Sequence, residues 1–363
     1  MTTQVLTYYF TGTGNSLCAS RWIAENASKA GVAAGVRPID RFDRHSIPQP
    51  APDTLLGFAY PTHGFNLPWY MLKFLLYFPR GHNPVFLLNT RAGMKLGRWY
   101  TPGVSGIAIL LPMLILALKG YSIRGVLPLD MPSNWISIHP GLFPHTVADI
   151  VKHCRRIVDR FSYALLAKKR SFPLIFFLFL PLDLVLLPIS LAYLVIGRFF
   201  LAKTFFASKR CNGCRICAEH CPVGAIQIID ERPYWSFHCE SCMRCMNICP
   251  LQAIETSHSM AAIMITLTTS IPASIYLQHF LSATGLNITG AALDSAEKII
   301  SWLLSLVIIY VLYILAFALL RNPWVNRFFV YTSLTYYWAR YKAPGIGLKD
   351  FSQAKIINKR RTK

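Results

Sequence analysis

The sequence predicts a composite chain: an N-terminal α/β unit on a doubly wound parallel sheet, a small cysteine-rich α+β unit, and a transmembrane helical hairpin. Three observations predict it. Short β-rich apolar runs alternate with helical stretches through residues 1–170. Eight of the ten cysteines crowd into residues 211–249, in two copies of one spacing. Two stretches long enough to cross a bilayer and free of formal charge follow, at 260–283 and 299–320. Alternating strands and helices favour a parallel sheet covered on both faces, and about 20 apolar residues span a membrane.

The chain opens on a strand over residues 4–10 (QVLTYYF), followed at once by Thr11, Gly12, Thr13, Gly14, Asn15 and Ser16 and then by a helix over 17–30. Strand, Gly-rich turn and helix make a phosphate cradle. The helix N-terminus offers free N–H groups and a partial positive charge, and glycine lets the backbone come close. Thr11, Thr13, Asn15 and Ser16 add neutral donors. No Lys stands where a nucleotide-binding P-loop needs one, and Leu17 replaces the third glycine of the dinucleotide fingerprint. A hydroxyl-rich, lysine-free loop of this kind resembles the FMN-phosphate loop of flavodoxins.

Further strands are predicted at 32–39, 55–60, 84–89 and 122–129, with helices near 68–78, 104–119 and 145–168. The flavodoxin resemblance implies strand order 2-1-3-4-5 with FMN at the carboxyl ends of the strands. Two loops fall there, at 61–68 and 89–97. The resemblance assigns the flavin ring to Thr62, His63, Gly64 and Phe65 of the first and to Thr90 and Gly93 of the second. Phe65 is the ring-stacking candidate, Trp69 and Trp99 are secondary ones, and residues 131–135 border the same crevice. Cys18 and Cys154 read as ordinary thiols, and residues 1–10 as a strand rather than a signal peptide.

The cysteine unit reads Cys211-x2-Cys214-x2-Cys217-x3-Cys221-Pro222 and, 28 residues on, Cys239-x2-Cys242-x2-Cys245-x3-Cys249-Pro250. A cubane cluster needs four converging thiolates; the tight loop gives three and the other run gives the fourth. Cys211, Cys214, Cys217 and Cys249 are therefore assigned to one [4Fe–4S] cluster, and Cys239, Cys242, Cys245 and Cys221 to a second. Zinc sites pair two knuckles without the C-x3-C-P element, and disulfides would not explain the repeated proline. Pro222 and Pro250 stop the turn after each fourth ligand. Residues 225–229 and 253–256 are expected to pair as short strands. The region resembles the bacterial two-cluster ferredoxins over about 208–258. Residues 1–258 together look like the bacterial and archaeal fusions of a flavodoxin-like domain with such a ferredoxin, which act as electron carriers. One departure is charge: flavodoxins are acidic, whereas residues 1–150 hold 12 Lys/Arg against 6 Asp/Glu.

Net charge is +21 and unevenly spread. Residues 151–210 hold 11 basic against 2 acidic residues, residues 321–363 hold 10 against 1, and residues 211–258 reverse this with 3 against 5. The basic runs flank apolar segments, which points to anionic lipid. No helix-turn-helix, RRM-like or finger pattern accompanies the charge, so nucleic acid is not a predicted partner. Opposite charge suggests that the acidic cysteine unit docks on the basic α/β unit. The linker at 284–298 carries only Asp294, Glu297 and Lys298, and Arg321 with a basic tail follows, so both ends of the hairpin are placed on the cytoplasmic side.

A third apolar stretch, 172–197, contains Pro173, Pro181, Asp183 and Pro188 between basic flanks. A single crossing would put the flavin loops and the cysteines on opposite faces. The symmetric flanks instead predict a re-entrant or interfacial hairpin bent near 181–188. Asp183 is the polar candidate within it. Residues 104–118 are uncharged but too short to span, and 328–342 read as an interfacial helix or docking surface.

The expected organisation is thus 1–170 for the flavodoxin-like FMN domain, 171–207 for the membrane-associated segment, 208–258 for the two-cluster ferredoxin domain, 259–321 for two spans and 322–363 for a basic aromatic tail. The expected function is a membrane-bound electron-transfer protein moving electrons between FMN and two [4Fe–4S] clusters on the cytoplasmic face of the cytoplasmic membrane. Its partners are membrane lipid and redox donor and acceptor proteins that the sequence does not specify. A membrane oxidoreductase reducing a quinone, and a membrane-anchored ferredoxin with a flavin-free flavodoxin fold, are the alternatives. No paired carboxylates or nucleophile triad is found, which fits a carrier rather than a substrate-converting enzyme.

Overall fold

In the computed structural model, residues 3–270 and 291–351 are described. The predicted apolar runs become strands β1 (Gln4–Tyr9), β2 (Ala33–Pro38), β3 (Thr54–Pro61), β4 (Pro84–Leu96) and β6 (Ser122–Pro132), with β5 (Trp99–Thr101) a short antiparallel return on β4. The parallel strands lie in the order β2-β1-β3-β4-β6, which is the flavodoxin-like arrangement once β5 is set aside. All eight residues of β3 are buried. A central parallel strand is covered on both faces, so it reads as a continuous apolar run rather than an alternating one.

Helices α1 (Asn15–Lys29) and α4 (Pro144–Leu166) cover one face, while α2 (Trp69–Tyr77) and α3 (Leu110–Leu118) cover the other. On the first face Leu17, Ile23, Ile150, Val158 and Phe161 pack over the sheet. On the second Met71, Leu75 and Leu116 do so, joined by Phe176 from the following apolar segment.

Two local expectations change. Residues 89–97, read as a loop, are mostly strand: β4 pairs with β6 through Gly93 and with β5 from Met94. Ladder partners on both sides satisfy a polar stretch that has no apolar signature of its own. The helix expected over 104–119 is a short 3-10 turn, Gly106–Ala108, followed by α3, because Gly106 adopts φ +56°.

The cysteine unit is a structural repeat. Short helices Ile216–Glu219 and Arg244–Ile248 begin 28 residues apart, each preceded by a left-handed residue, Arg215 and Met243. Residues 225–229 and 253–256 do not pair with each other, contrary to expectation. Ile226–Ile229 forms a hairpin with Arg232–Trp235, and Ile254–Thr256 pairs with Phe205–Ala207. A strand from upstream of the first cysteine is recruited, and sequence spacing within the repeat could not reveal it.

The cysteine unit docks on the carboxyl end of the sheet. Arg41, just past β2, donates to the carbonyls of Ala218, Glu219 and Cys221 at 2.9, 3.2 and 3.1 Å. Arg244 returns the contact, donating to the Thr11 carbonyl at 2.5 Å and pairing through both terminal nitrogens with Asp40.

Among the described residues one helix is long and apolar enough to cross a membrane, Lys298–Leu319, within a helix running Ala291–Leu319. Residues 291–298, expected in the linker, are therefore helical. Of the other expected span, the helix His258–Ser270 is described and packs Met260 and Met264 against Ile309 and Tyr313; residues 271–290 lie outside the described residues. The third stretch forms two apolar helices, Leu174–Val185 and Leu187–Val195, bent by 69°. The C-terminal segment differs most from expectation. Its helix ends at Tyr331, and Tyr341, Ala343, Ile346 and Phe351 are buried rather than forming a free tail. Ala343, Ile346 and Phe351 complete the core beneath α1.

Candidate functional site

The loop between β1 and α1 holds its donors ready. The N–H groups of Gly12, Thr13, Asn15 and Ser16 have no acceptor among the described residues, as the first turn of a helix dictates. The side chains are ordered around them. Gly14 N–H donates to Thr11 Oγ1 at 3.0 Å, Ser16 and Thr90 share a hydroxyl contact at 3.0 Å, and Asn134 donates to Thr13 Oγ1 at 2.7 Å. The C-terminal segment closes over this loop: Ala343 N–H donates to the Thr13 carbonyl at 2.9 Å and Tyr341 Oη to Asn15 Oδ1 at 2.6 Å.

A cavity of about 200 Å³ opens beside Asn15 at the carboxyl ends of the strands. Of the residues expected to hold a flavin ring, Thr62, His63, Gly64, Phe65 and Thr90 line it, and so do Asn134 and Trp135. Gly93 does not; it lies in the β4–β6 seam, where a Cβ would meet the Asp130 carbonyl at 2.2 Å. Trp69 and Trp99 do not line it either. Of the expected phosphate-loop residues only Asn15 lines it; Thr11, Gly12, Thr13, Gly14 and Ser16 are buried and do not. His63 Nδ1 and Ser241 Oγ are buried without a partner, and burial pushes His63 down to about 4, so it is a neutral imidazole. A neutral, partly unpartnered polar rim with an aromatic at Phe65 suits a flavin ring.

Three cavity walls go beyond the residues singled out for the flavin ring. Arg91 is buried beside the cavity and paired with Asp130 at 2.6 and 3.2 Å. Tyr193 and Leu201 come from the apolar segment. A Cβ on Gly64 would sit 2.1 Å from the Tyr193 ring, so only glycine admits it. The apolar segment is pinned there by two polar contacts. Asp183 accepts from Gly106 N–H at 2.7 Å, and Ser190 Oγ donates to the Phe65 carbonyl at 2.8 Å. The third wall is Ser241, Cys242 and Met243. Gly12 makes this possible: a Cβ there would fall 1.8 Å from the Cys242 carbonyl oxygen. No sequence signal joins residue 12 to residue 242.

The structure brings the expected cysteines near one another, with Cys217 of the first set also beside Cys245 of the second. Cys211, Cys214, Cys217 and Cys249 surround a cavity of about 20 Å³. In the other, Cys239 faces Cys221 and Cys242, and Cys245 faces Cys239 and Cys242. Burial raises Cys217 and Cys242 to about 12 and pushes Cys239 and Cys245 well up. Burial thus disfavours bare thiolates at these positions, and a bound metal would stabilise them. Backbone N–H groups are aimed at the sulfurs: Ala225 at Cys221, Ser241 at Cys239 and Ala253 at Cys249, at 3.2, 3.4 and 3.3 Å. Such donors stabilise charge on a ligand sulfur. Cys18 and Cys154 are buried in the α/β core, and burial raises Cys18 to about 11.

Between Cys239 and Cys242, the buried Glu240 points its carboxylate at the N–H groups of Trp69 and Tyr70, the exposed start of α2. Burial nevertheless lifts it to about 7. The cysteine loop thus caps a helix of the α/β unit.

Comparison with known proteins agrees with the cysteine unit. The 4Fe-4S dicluster domain family matches residues 210–254. No curated protein sequence matches the chain. Among solved structures, an archaeal flavodoxin is similar at 13% identity, covering 44% of this chain and 96% of its own, with a TM-score of 0.29. A flavodoxin of Streptococcus pneumonia TIGR4 is similar at 13% identity, covering 46% of this chain and 98% of its own, at 0.31. A flavodiiron protein from Giardia intestinalis is similar at 10% identity, with 46% and 37% covered, at 0.31. The fold assignment rests on strand order and register and takes nothing from likenesses this distant. What stands is a flavodoxin-like sheet joined to a 4Fe-4S unit, an arrangement for electron transfer.

Proposed function

We propose that this chain is a membrane-bound electron-transfer protein carrying FMN and two [4Fe–4S] clusters on the cytoplasmic face of the cytoplasmic membrane. One observation carries the reading: the Ser241–Met243 loop, which holds the expected ligand Cys242, closes the cavity that the flavin-type loops open. FMN exchanges one or two electrons and each cubane cluster one, so together they split an electron pair or gather single electrons.

The protein's part is placement and environment. Gly12 lies against the Cys242 carbonyl and Arg244 donates to Thr11, contacts that hold the phosphate-type loop beside the Cys242 loop. The N–H groups of Gly12, Thr13, Asn15 and Ser16 would take the phosphate of FMN, with Phe65 and Trp135 beside its ring. Cys239 and Cys245 are buried, while Cys214 is exposed. The buried quartet is therefore the inner station and the exposed one the end that meets a soluble protein partner. No proton-transfer group is required at either.

Membrane location is supported by Lys298–Leu319 and by the bent pair. In that pair Leu178, Val185 and Ile189 face outward, while Ser190 binds the flavin-type loop at Phe65 and Asp183 binds the turn at Gly106. An interfacial hairpin leaves both redox units on one side. A second reading, an oxidoreductase acting on a lipophile such as a quinone, is favoured by Tyr193 and Leu201 of this segment in the cavity wall.

Oxygen-free purification in mild detergent tests the proposal. About eight irons, eight sulfides and one FMN per chain are expected, with paired cubane signals on reduction. Eight irons without flavin would leave a membrane-anchored ferredoxin. Turnover of quinone by the pure protein would move the function to the second reading.

A further inference from the structure

Lys203 is fully buried beside the inner quartet. Its ammonium donates to the Trp235 carbonyl. It lies 4.2 Å from the ring centres of Phe237 and Tyr313 and 5.2 Å from that of Tyr234. Three aromatic faces and a carbonyl stabilise a cation without neutralising it. No carboxylate pairs with Lys203 among the described residues. The ionisable group it faces is Cys239, an expected cluster ligand. The contrast is Arg244, also buried in this unit, whose charge is balanced by Asp40. A buried ammonium without a counter-ion is costly, and the cage looks built to keep one.

The cage is assembled from three parts of the chain. Lys203 follows the apolar segment, Trp235 and Phe237 belong to the cysteine unit, and Tyr313 belongs to the membrane-length helix. Trp235 N–H donates to Tyr313 Oη at 2.8 Å, tying the last two together. The Trp235 indole N–H is buried and faces the Cys245 sulfur, a second positive contribution on the same side.

We infer that Lys203 is the fixed counter-charge of the cluster held by Cys221, Cys239, Cys242 and Cys245, and that it raises this cluster's reduction potential above that of the exposed one. The inference rests on the two-cluster reading. An electron entering the inner cluster is attracted by a unit positive charge in a water-poor surround, whereas the exposed quartet has no such buried partner among the described residues. Lys203 acts through the cluster's surroundings and is not a ligand.

The test is an anaerobic redox titration of the full-length protein in detergent, followed by electron paramagnetic resonance. Lys203→Gln keeps a donor for the Trp235 carbonyl but removes the charge. Of the two one-electron waves, one should fall by a factor of about ten or more in its reduction equilibrium, roughly 59 mV, while the other holds. Lys203→Arg should restore it. Two unmoved waves, or two waves displaced equally, would overturn the inference. If Lys203→Gln loses its iron, the wild-type background decides: Cys214→Ser removes a ligand of the exposed cluster, and the surviving wave must be the higher of the two. A surviving lower wave overturns the inference as well. Absence of cubane signals from the wild-type protein would instead overturn the two-cluster reading beneath it.

Discussion

The two cysteine quartets share one spacing and little else. Around Cys211, Cys214, Cys217 and Cys249 the chain is open: Cys214 is exposed, and Arg215 and Leu251 beside it face solvent. Around Cys221, Cys239, Cys242 and Cys245 it is closed. Gly12, Arg41, Arg244, Glu240 and Lys203 reach in from four different segments. A duplicated motif supplies identical ligands, and docking makes their environments unequal. The direction of an electron path is thus a property of the contacts the repeat makes rather than of the repeat.

Removing ligands breaks the comparison hardest. Cys245→Ala should cost the inner cluster and the docked architecture, leaving almost no iron and little folded protein. Cys214→Ser should leave roughly half of the iron. Iron per chain, read after oxygen-free purification, separates them; equal losses would mean that the quartets are equivalent. Next comes the buried ion pair. Asp40→Ala leaves Arg244 unpaired against Thr11 and should destabilise by about 3–5 kcal/mol, seen in denaturant melts followed through the cluster absorbance. Gly12→Ala pushes a methyl into the Cys242 carbonyl and should cost about 1–3 kcal/mol. It should also lower flavin content, because the same residue belongs to the phosphate-type loop. The smallest effect lies on the open side. Arg321 pairs with Asp230 at the exposed surface, so Arg321→Ala should stay within about 1 kcal/mol. A large loss there would show that the open quartet is also load-supporting.

Much of the α/β unit is legible in the sequence because a parallel strand buried on both faces is an uninterrupted apolar run, as β3 shows. The 4Fe-4S unit is legible because cluster chemistry fixes cysteine spacing. What spacing does not carry is contact across hundreds of residues. Nothing local in Gly12 announces Cys242, and nothing in Lys203 announces Tyr313. The pairing of Phe205–Ala207 with Ile254–Thr256 escaped for the same reason. Polar residues 89–96 hid a strand because the ladder to β6, not hydrophobicity, holds it. The C-terminal segment misled through composition. Tyr, Trp and basic residues suit a lipid interface, yet Tyr341 uses its hydroxyl to reach Asn15.

That last contact fixes an order of manufacture. Tyr341 and Asn15 are 326 positions apart, so this loop is finished by a segment made 326 residues after it. At about 5–20 residues per second, the phosphate-type loop waits tens of seconds for Tyr341 and Ala343 to close over it. By then the apolar helices have already been made and the cysteine unit has already met Arg41. A phosphate held in that loop would be enclosed only after residues 341–343 have been made.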